Sequence, residues 1–384
     1  MKTLASLLFL IVIALNISCT TNTETIKEVN NYSLESVDTL TISINDSTIN
    51  TGDIFFCDIP EGRFIYTIEN FDNLYQCYFY NIDMNPSLNF VTTLEKSGPN
   101  GVGEIVSSLY IKSLDSIYAA NHNSQILLLD SSGIVKNKYF MELAENILRP
   151  LAYNSSPIVL LGDKLYMGLV VSNHVNSPEY YNRVLDISFD LKSQEISENV
   201  ARYPDFMRKG NFFGVSSWNF SRQKVSDNKW AYSFLYDPNL YIYTDDSLIS
   251  KINCPVKNVY NKNLDPVEPN APMEKQINYY LTHTQYQGVF YDEHTKFTYR
   301  VIFEGLDEDK ALGAKWWDKS FVIQIFDEEY NCLGSSKFPG MKYNPLTMFI
   351  SKEGLFIPYH NKSNFDSPED KFIFHVFKPR QKAI

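Results

Sequence analysis

Gly62-Arg63-Phe64-Ile65-Tyr66, followed by Cys77-Tyr78-Phe79-Tyr80-Asn81-Ile82-Asp83, is a turn residue, a short aromatic strand and a second apolar strand that stops at an aspartate. The first half of this unit returns as Asp115-Ser116-Ile117-Tyr118, Asp163-Lys164-Leu165-Tyr166, Asn228-Lys229-Trp230-Ala231-Tyr232, His294-Thr295-Lys296-Phe297-Thr298-Tyr299 and Glu353-Gly354-Leu355-Phe356-Ile357. The second half returns as Ile126-Leu127-Leu128-Leu129-Asp130, Val184-Leu185-Asp186-Ile187-Ser188-Phe189-Asp190, Leu240-Tyr241-Ile242-Tyr243-Thr244-Asp245, Phe321-Val322-Ile323-Gln324-Ile325-Phe326-Asp327 and Phe372-Ile373-Phe374-His375-Val376-Phe377. Only the last copy lacks the aspartate. Successive copies are spaced by 52, 48, 66, 67 and 58 residues. Short strands repeating at roughly 40–50 residues mark the blades of a β-propeller, with insertions lengthening the later ones. A twisted sheet of four strands cannot bury both faces alone, so such units stack on one another. The terminal aspartate suits a turn, because its side chain bonds backbone amides further on.

The expected fold is therefore all-β, a single six-bladed β-propeller, in preference to seven blades or two β domains. The last copy ends near Lys378-Pro379 and leaves little chain for an outer strand. Thr39-Leu40-Thr41-Ile42-Ser43-Ile44, upstream of the first copy, alternates polar and apolar residues as a half-buried strand does. This N-terminal strand is expected to close the last blade. The propeller domain then runs over residues 38–384, behind a tether at 19–37.

Ahead of the tether, Lys2 precedes an unbroken apolar run from Leu4 to Leu15. A membrane-spanning helix needs about 20 apolar residues, so the run has the length of a cleaved signal rather than of a span. It ends at Ser18-Cys19 and resembles a bacterial lipoprotein signal. That resemblance implies cleavage after residue 18 and diacylation of the Cys19 thiol, two chains giving stable anchoring. The expected location is the envelope of a Gram-negative bacterium, at the periplasmic side of the outer membrane. Thr20-Thr21-Asn22-Thr23-Glu24 lacks the acidic cluster associated with surface export.

Leu94-Glu95-Lys96-Ser97-Gly98-Pro99-Asn100-Gly101, with Asp115-Ser116-Ile117-Tyr118 and Leu129-Asp130-Ser131-Ser132-Gly133, is similar to a family of bacterial lipoproteins known as domain of unknown function 4221. The resemblance implies a six-bladed, propeller-like envelope protein. It carries over no catalytic residue.

Charge and cysteine spacing exclude several functions. The net charge of −11 is spread without a basic stripe, which argues against a nucleic-acid partner. Cys57, Cys77, Cys254 and Cys332 contain no Cys-x-x-Cys pair, so neither a zinc cluster nor a thioredoxin-like motif fits. In an oxidising compartment, Cys57 and Cys77 either face each other across neighbouring strands or stay as buried thiols.

Motifs with chemical potential resolve mostly to turns. Gly98-Pro99-Asn100-Gly101-Val102-Gly103 is followed by Glu104-Ile105 rather than Lys-Ser/Thr and a helix, so it is a turn and not a phosphate loop. The acidic runs Asp307-Glu308-Asp309 and Asp327-Glu328-Glu329 do not fit the register of a calcium loop. No Gly-x-Ser-x-Gly elbow is present, and 45 acidic residues offer no rule for choosing a glycosidase pair. His375, inside an apolar strand, reads as a packed histidine.

Aromatic residues near strand starts are the better candidates. Trp218, Tyr286, Trp316 and Trp317, with His283 and His360 near strand ends, are the expected ligand-binding residues. Such side chains stack on sugar rings or anchor a protein partner; packing between blades is their alternative use. The expectation is a non-catalytic, membrane-anchored binding module for a glycan, peptide or envelope protein, with no cofactor and no metal. The alternatives are a polysaccharide-active hydrolase or lyase, and an accessory scaffold of a membrane complex.

Overall fold

The computed structural model describes residues 23–25, 29, 31–44, 54–83, 86–143, 148–171, 178–226, 228–256, 263–359 and 370–382. Cys19 and the expected signal lie outside the described residues, as does His360.

Two N-terminal strands, β1 (Thr23–Thr25) and β2 (Tyr32–Ser43), precede a succession of antiparallel meanders. The first holds β3 (Ile54–Ile59), β4 (Gly62–Asn70), β5 (Leu74–Asn81) and β6 (Ser87–Glu95). The second holds β7 (Ile105–Ser113), β8 (Ser116–Asn121), β9 (Gln125–Leu129) and β10 (Val135–Phe140). The third holds β11 (Leu148–Leu151), β12 (Val159–Leu161), β13 (Lys164–Val171), β14 (Asp186–Asp190) and β15 (Ile196–Glu198); β11 and β12 both pair with β13. The fourth holds β16 (Phe220–Ser226), β17 (Lys229–Phe234), β18 (Asn239–Thr244) and β19 (Leu248–Asn253), with β1 added in parallel on β19.

The remaining strands form one eight-stranded sheet. It contains β20 (Gln285–Tyr291), β21 (Thr298–Phe303), β22 (Phe321–Phe326), β23 (Cys332–Phe338), β24 (Phe349–Ser351), β25 (Gly354–Pro358) and β26 (Lys371–Gln381). Its order is β20-β21-β22-β23-β2-β26-β25-β24. The fold is all-β.

Every copy of the quoted repeat contributes to the two central strands of a meander: β4–β5, β8–β9, β13–β14, β17–β18, β21–β22 and β25–β26 are antiparallel neighbours. These strands are apolar because they are covered on both faces, and β21 and β22 are buried at every position. The terminal aspartates do what their chemistry suggests. Asp130 Oδ1 accepts the amides of Ser132 and Ile134, Asp190 Oδ1 those of Lys192 and Ser193, and Asp327 Oδ1 that of Asn331. Asp83 is used differently and takes the amide and guanidinium of Arg63.

The N-terminal strand pairs with the C-terminal one. Thr39 lies opposite His375, Leu40 opposite Phe374 and Ile42 opposite Phe372. The pairing continues upstream to Tyr32, and β1 lies within the stretch expected as a tether, so described residues of 19–37 are bound to the body. Between them, the amides of Val29 and Asn31 donate to the carbonyls of Cys332 and Leu333. A single parallel bridge from Tyr32 to Gly334 joins β2 to β23. A Cβ at Gly334 would lie 2.2 Å from the Tyr32 carbonyl oxygen, which is why only glycine fits there.

The same seam carries a disulfide, Cys254–Cys332, across 78 residues of sequence. Cys57 and Cys77 are buried free thiols, and desolvation pushes both up to about 12. His375 is packed as expected: its Nδ1 lies 2.9 Å from the Tyr343 hydroxyl and its ring stacks on Tyr359.

Candidate functional site

The first strands of the meanders lie side by side. β3 packs against β7, β7 against β11, β16 against β20, and β20 against β24. Their side chains enclose two cavities, of about 330 and 200 Å³. The larger is lined early in these strands, by Phe220 and Ser221 of β16 and Tyr286 and Gln287 of β20. The smaller is lined later in the same strands, by Gln223, Phe290 and Tyr291. Phe55, Tyr153 and Asn154 line both, so the cavities follow one another along the strand direction with a shared wall.

That wall is braced across the interior. The Tyr153 hydroxyl donates to the Phe220 carbonyl, and Asn154 Nδ2 donates to the Ile54 carbonyl at 2.6 Å. Residues 153–155 leave β11 in a tight loop, closed by a bridge between Tyr153 and Ser156.

Trp218 and Tyr286 both line the larger cavity. The Trp218 carbonyl accepts from the Tyr203 hydroxyl at 2.7 Å, which fixes the backbone ahead of β16. Tyr286 is held from beneath: the Arg300 guanidinium sits 4.5 Å from its ring centre. Arg300 is fully buried and donates from Nε to Ser233 Oγ, from Nη1 to Pro238 O, and from Nη2 to Asp237 O and Asn239 O. Burial pulls its guanidinium down to about 10, so it stays charged at neutral pH. Gln287 Nε2 donates to the Tyr280 hydroxyl at 3.0 Å.

His283, Trp316 and Trp317 do not line either cavity. His283 caps the helix Met273–Thr282, where its Nδ1–H donates to the Tyr279 carbonyl at 2.8 Å and its ring stacks on Tyr279. Trp316 meets Phe303 edge-on, and Trp317 meets Trp316. Their turn leads into Lys319, a buried lysine whose Nζ donates to the carbonyls of Tyr280 and His283 at 3.1 and 2.8 Å. His283 is buried at the end of that helix, and Trp316 and Trp317 are half-buried beside each other.

Ser221 and Thr347 line the larger cavity, but their hydroxyl oxygens are buried away from it and have no hydrogen-bond partner among the described residues, and Ser108 in the smaller cavity is the same. An unmet buried polar group costs about 1–3 kcal/mol, so such positions point to a missing partner. Among the described residues, no Asp, Glu, His, Lys, Arg or Cys lines either cavity. Buried charges elsewhere are tied into the walls between sheets, as with Arg222, whose Nε lies 3.6 Å from Asp186. Among the described residues no three His, Cys, Asp or Glu converge as a metal site would require.

Sequence reasoning missed Tyr153, Asn154, Ser221, Gln287 and Thr347. A signal existed. Phe55, Ser108, Tyr153, Ser221, Tyr286, Gln287 and Thr347 each lie 10 to 13 residues before the last residue of the first half of their copy of the repeat. The first strands are short and mixed in polarity, so hydrophobic periodicity does not mark them.

The model of the family "Domain of unknown function (DUF4221)" matches residues 31–337. Among solved structures, a member of that family from Bacteroides vulgatus ATCC 8482 is 18% identical, with a TM-score of 0.78, over 92% of this chain and 99% of the other. A Bacteroides fragilis NCTC 9343 protein, named for presumed export, is 14% identical with a TM-score of 0.53, over 94% of this chain and 100% of the other. At these identities the likeness is one of fold. No curated protein matches the chain.

Proposed function

This chain belongs to the DUF4221 family, and from that premise we propose that it is a six-bladed β-propeller, anchored by lipid at Cys19 in a bacterial envelope, that binds an uncharged ligand without catalysing its turnover. The observation that carries the reading is the lining of the two cavities, which is aromatic, aliphatic, carboxamide and hydroxyl with no ionisable acid or base beyond tyrosine among the described residues. Glycoside hydrolysis takes two carboxyl groups flanking the scissile bond, and this lining offers none. Tyr153, the phenol at the shared wall, is raised by burial and keeps its proton at neutral pH, so it is a poor general base. A charged ligand would lose its hydration without gaining a counter-charge.

Three findings support six blades: each repeat copy lies in a central hairpin, the first strands adjoin, and β2 pairs with β26. The anchor rests on the apolar run and Cys19. It is tested by fractionation: Cys19→Ser should move the protein from the membrane to the soluble fraction, and an unchanged distribution would remove the anchor.

The binding reading is tested by thermal shift of the full chain in a detergent without a sugar headgroup, against neutral and charged small molecules. A ligand at 100 times its Kd stabilises by about 2.7 kcal/mol. Shifts with neutral compounds, abolished in Trp218→Ala and unaccompanied by product, are the expected outcome. Shifts confined to charged compounds, or product formation, would overturn it.

A further inference from the structure

We propose that the larger cavity is a saccharide site, taking one or two uncharged sugar rings against Trp218 and Tyr286. The inference rests on the reading of that cavity as a site for an uncharged ligand and names the ligand's class. A volume of about 330 Å³ falls at the small end of the range for ligand pockets. Such a space admits a sugar end or a disaccharide rather than a long chain lying flat.

The lining supplies both halves of sugar recognition. A sugar ring presents C–H faces, which pack on aromatic rings through their negative π faces. Trp218 and Tyr286 come from the lead into β16 and from β20, and Phe55 stands at the shared wall. Tyr286 is held in place by Arg300, which is itself bonded to three carbonyls and a hydroxyl, so the ring is organised before any ligand arrives.

A sugar's rim presents hydroxyls that donate and accept at once. A carboxamide complements them, its oxygen accepting and its nitrogen donating. Asn219 and Gln287 add carboxamides at the same wall. An apolar ligand would leave these groups unmet, and an anionic one would find no cation in the lining.

The test probes the full chain, in a detergent without a sugar headgroup, on an array of neutral glycans, acidic glycans and uncharged peptides with both ends capped. Signal on neutral glycans is expected, followed by titration calorimetry of the best disaccharide. Trp218→Ala should weaken it at least tenfold, and Asn219→Ala about threefold, with unchanged unfolding temperature. Should Trp218→Ala fail to fold, Gln287→Ala at the same wall should weaken the disaccharide about fivefold. Signal on capped peptides alone, lost in these variants, would overturn the saccharide assignment while keeping an uncharged ligand in this cavity. Signal on acidic glycans alone, or on nothing, would overturn both.

Discussion

The first and fourth meanders place chemically different residues at the same place in the sheet. In the first, Phe55, Tyr66, Phe79 and Phe90 lie opposite one another across β3 to β6, and their rings stack at 5.1, 5.3 and 4.4 Å. In the fourth, the corresponding row is Arg222, Tyr232, Tyr241 and Lys251 across β16 to β19. Its aromatic centre is kept, and a cation stands at each end. Lys251 Nζ lies over the Tyr241 ring, and Arg222 reaches into the third meander to meet Asp186 of β14 and the Pro157 carbonyl. An aromatic row needs only contact area. A row that starts with a buried arginine needs its neighbour's acceptors in register, so it fixes how two meanders sit against each other.

The difference should appear first when one charge is removed. Arg222→Leu leaves Asp186 buried without its partner, and loss of one member of a buried pair costs about 3–5 kcal/mol. Urea unfolding should show that loss, and Arg222→Leu combined with Asp186→Leu should restore much of it, because the orphaned charge is gone. A double variant no more stable than the single one would mean that the arginine acts through packing on Trp230 and not through charge.

The Cys254–Cys332 crosslink joins the end of β19 to β23, inside a buried apolar cluster shared by the fourth meander and the eight-stranded sheet. Removing a disulfide that closes a 78-residue loop costs about 2–5 kcal/mol. Cys254→Ser with Cys332→Ser should lower the unfolding midpoint, and reductant should lower that of the wild type alone. Cys57→Ala, in the aromatic half, should make no difference to reductant sensitivity.

Lys319, which meets the end of the helix Met273–Thr282, responds to pH. Burial pulls its ammonium from 10.5 down to about 7, and the carbonyls of Tyr280 and His283 oppose that pull. Between those values the unfolded chain holds a proton that the folded chain lacks. Stability should therefore rise with pH by about 1.4 kcal/mol per unit across that window and be lost as pH falls through 7. Denaturant midpoints measured from pH 7 to 9 should climb for the wild type and stay level for Lys319→Met. Equal slopes would show that the two carbonyls keep the lysine charged.

The smallest effect belongs to the aromatic row itself. Phe79→Leu keeps most of the volume and should cost about 1.5 kcal/mol or less. A loss as large as that of Arg222→Leu would erase the distinction between the two rows.

The contrast also explains what could be read in advance. Phe64 to Tyr66 and Cys77 to Ile82 advertise two buried faces, because alternation and aromatic content are local properties of a strand. Ser221-Arg222-Gln223-Lys224 reads as a solvated strand, yet Arg222 is fully buried. Of the expected ligand-binding residues, Trp218 and Tyr286 meet in one cavity because both sit at the starts of inner strands. His283, Trp316 and Trp317 share that aromatic or strand-end signature, but they line neither cavity.

By itself, then, the sequence determined the all-β class, the six hairpins and the pairing of its N-terminal strand with its last one. Each follows from periodicity and turn chemistry. Only the tertiary structure decided which cysteines pair, which arginines are buried, and which residues line the cavities. Those outcomes depend on what stands opposite a side chain. Residues as far apart as Phe55 and Thr347 line one cavity, and a strand's pattern records which of its faces is covered but not by whom.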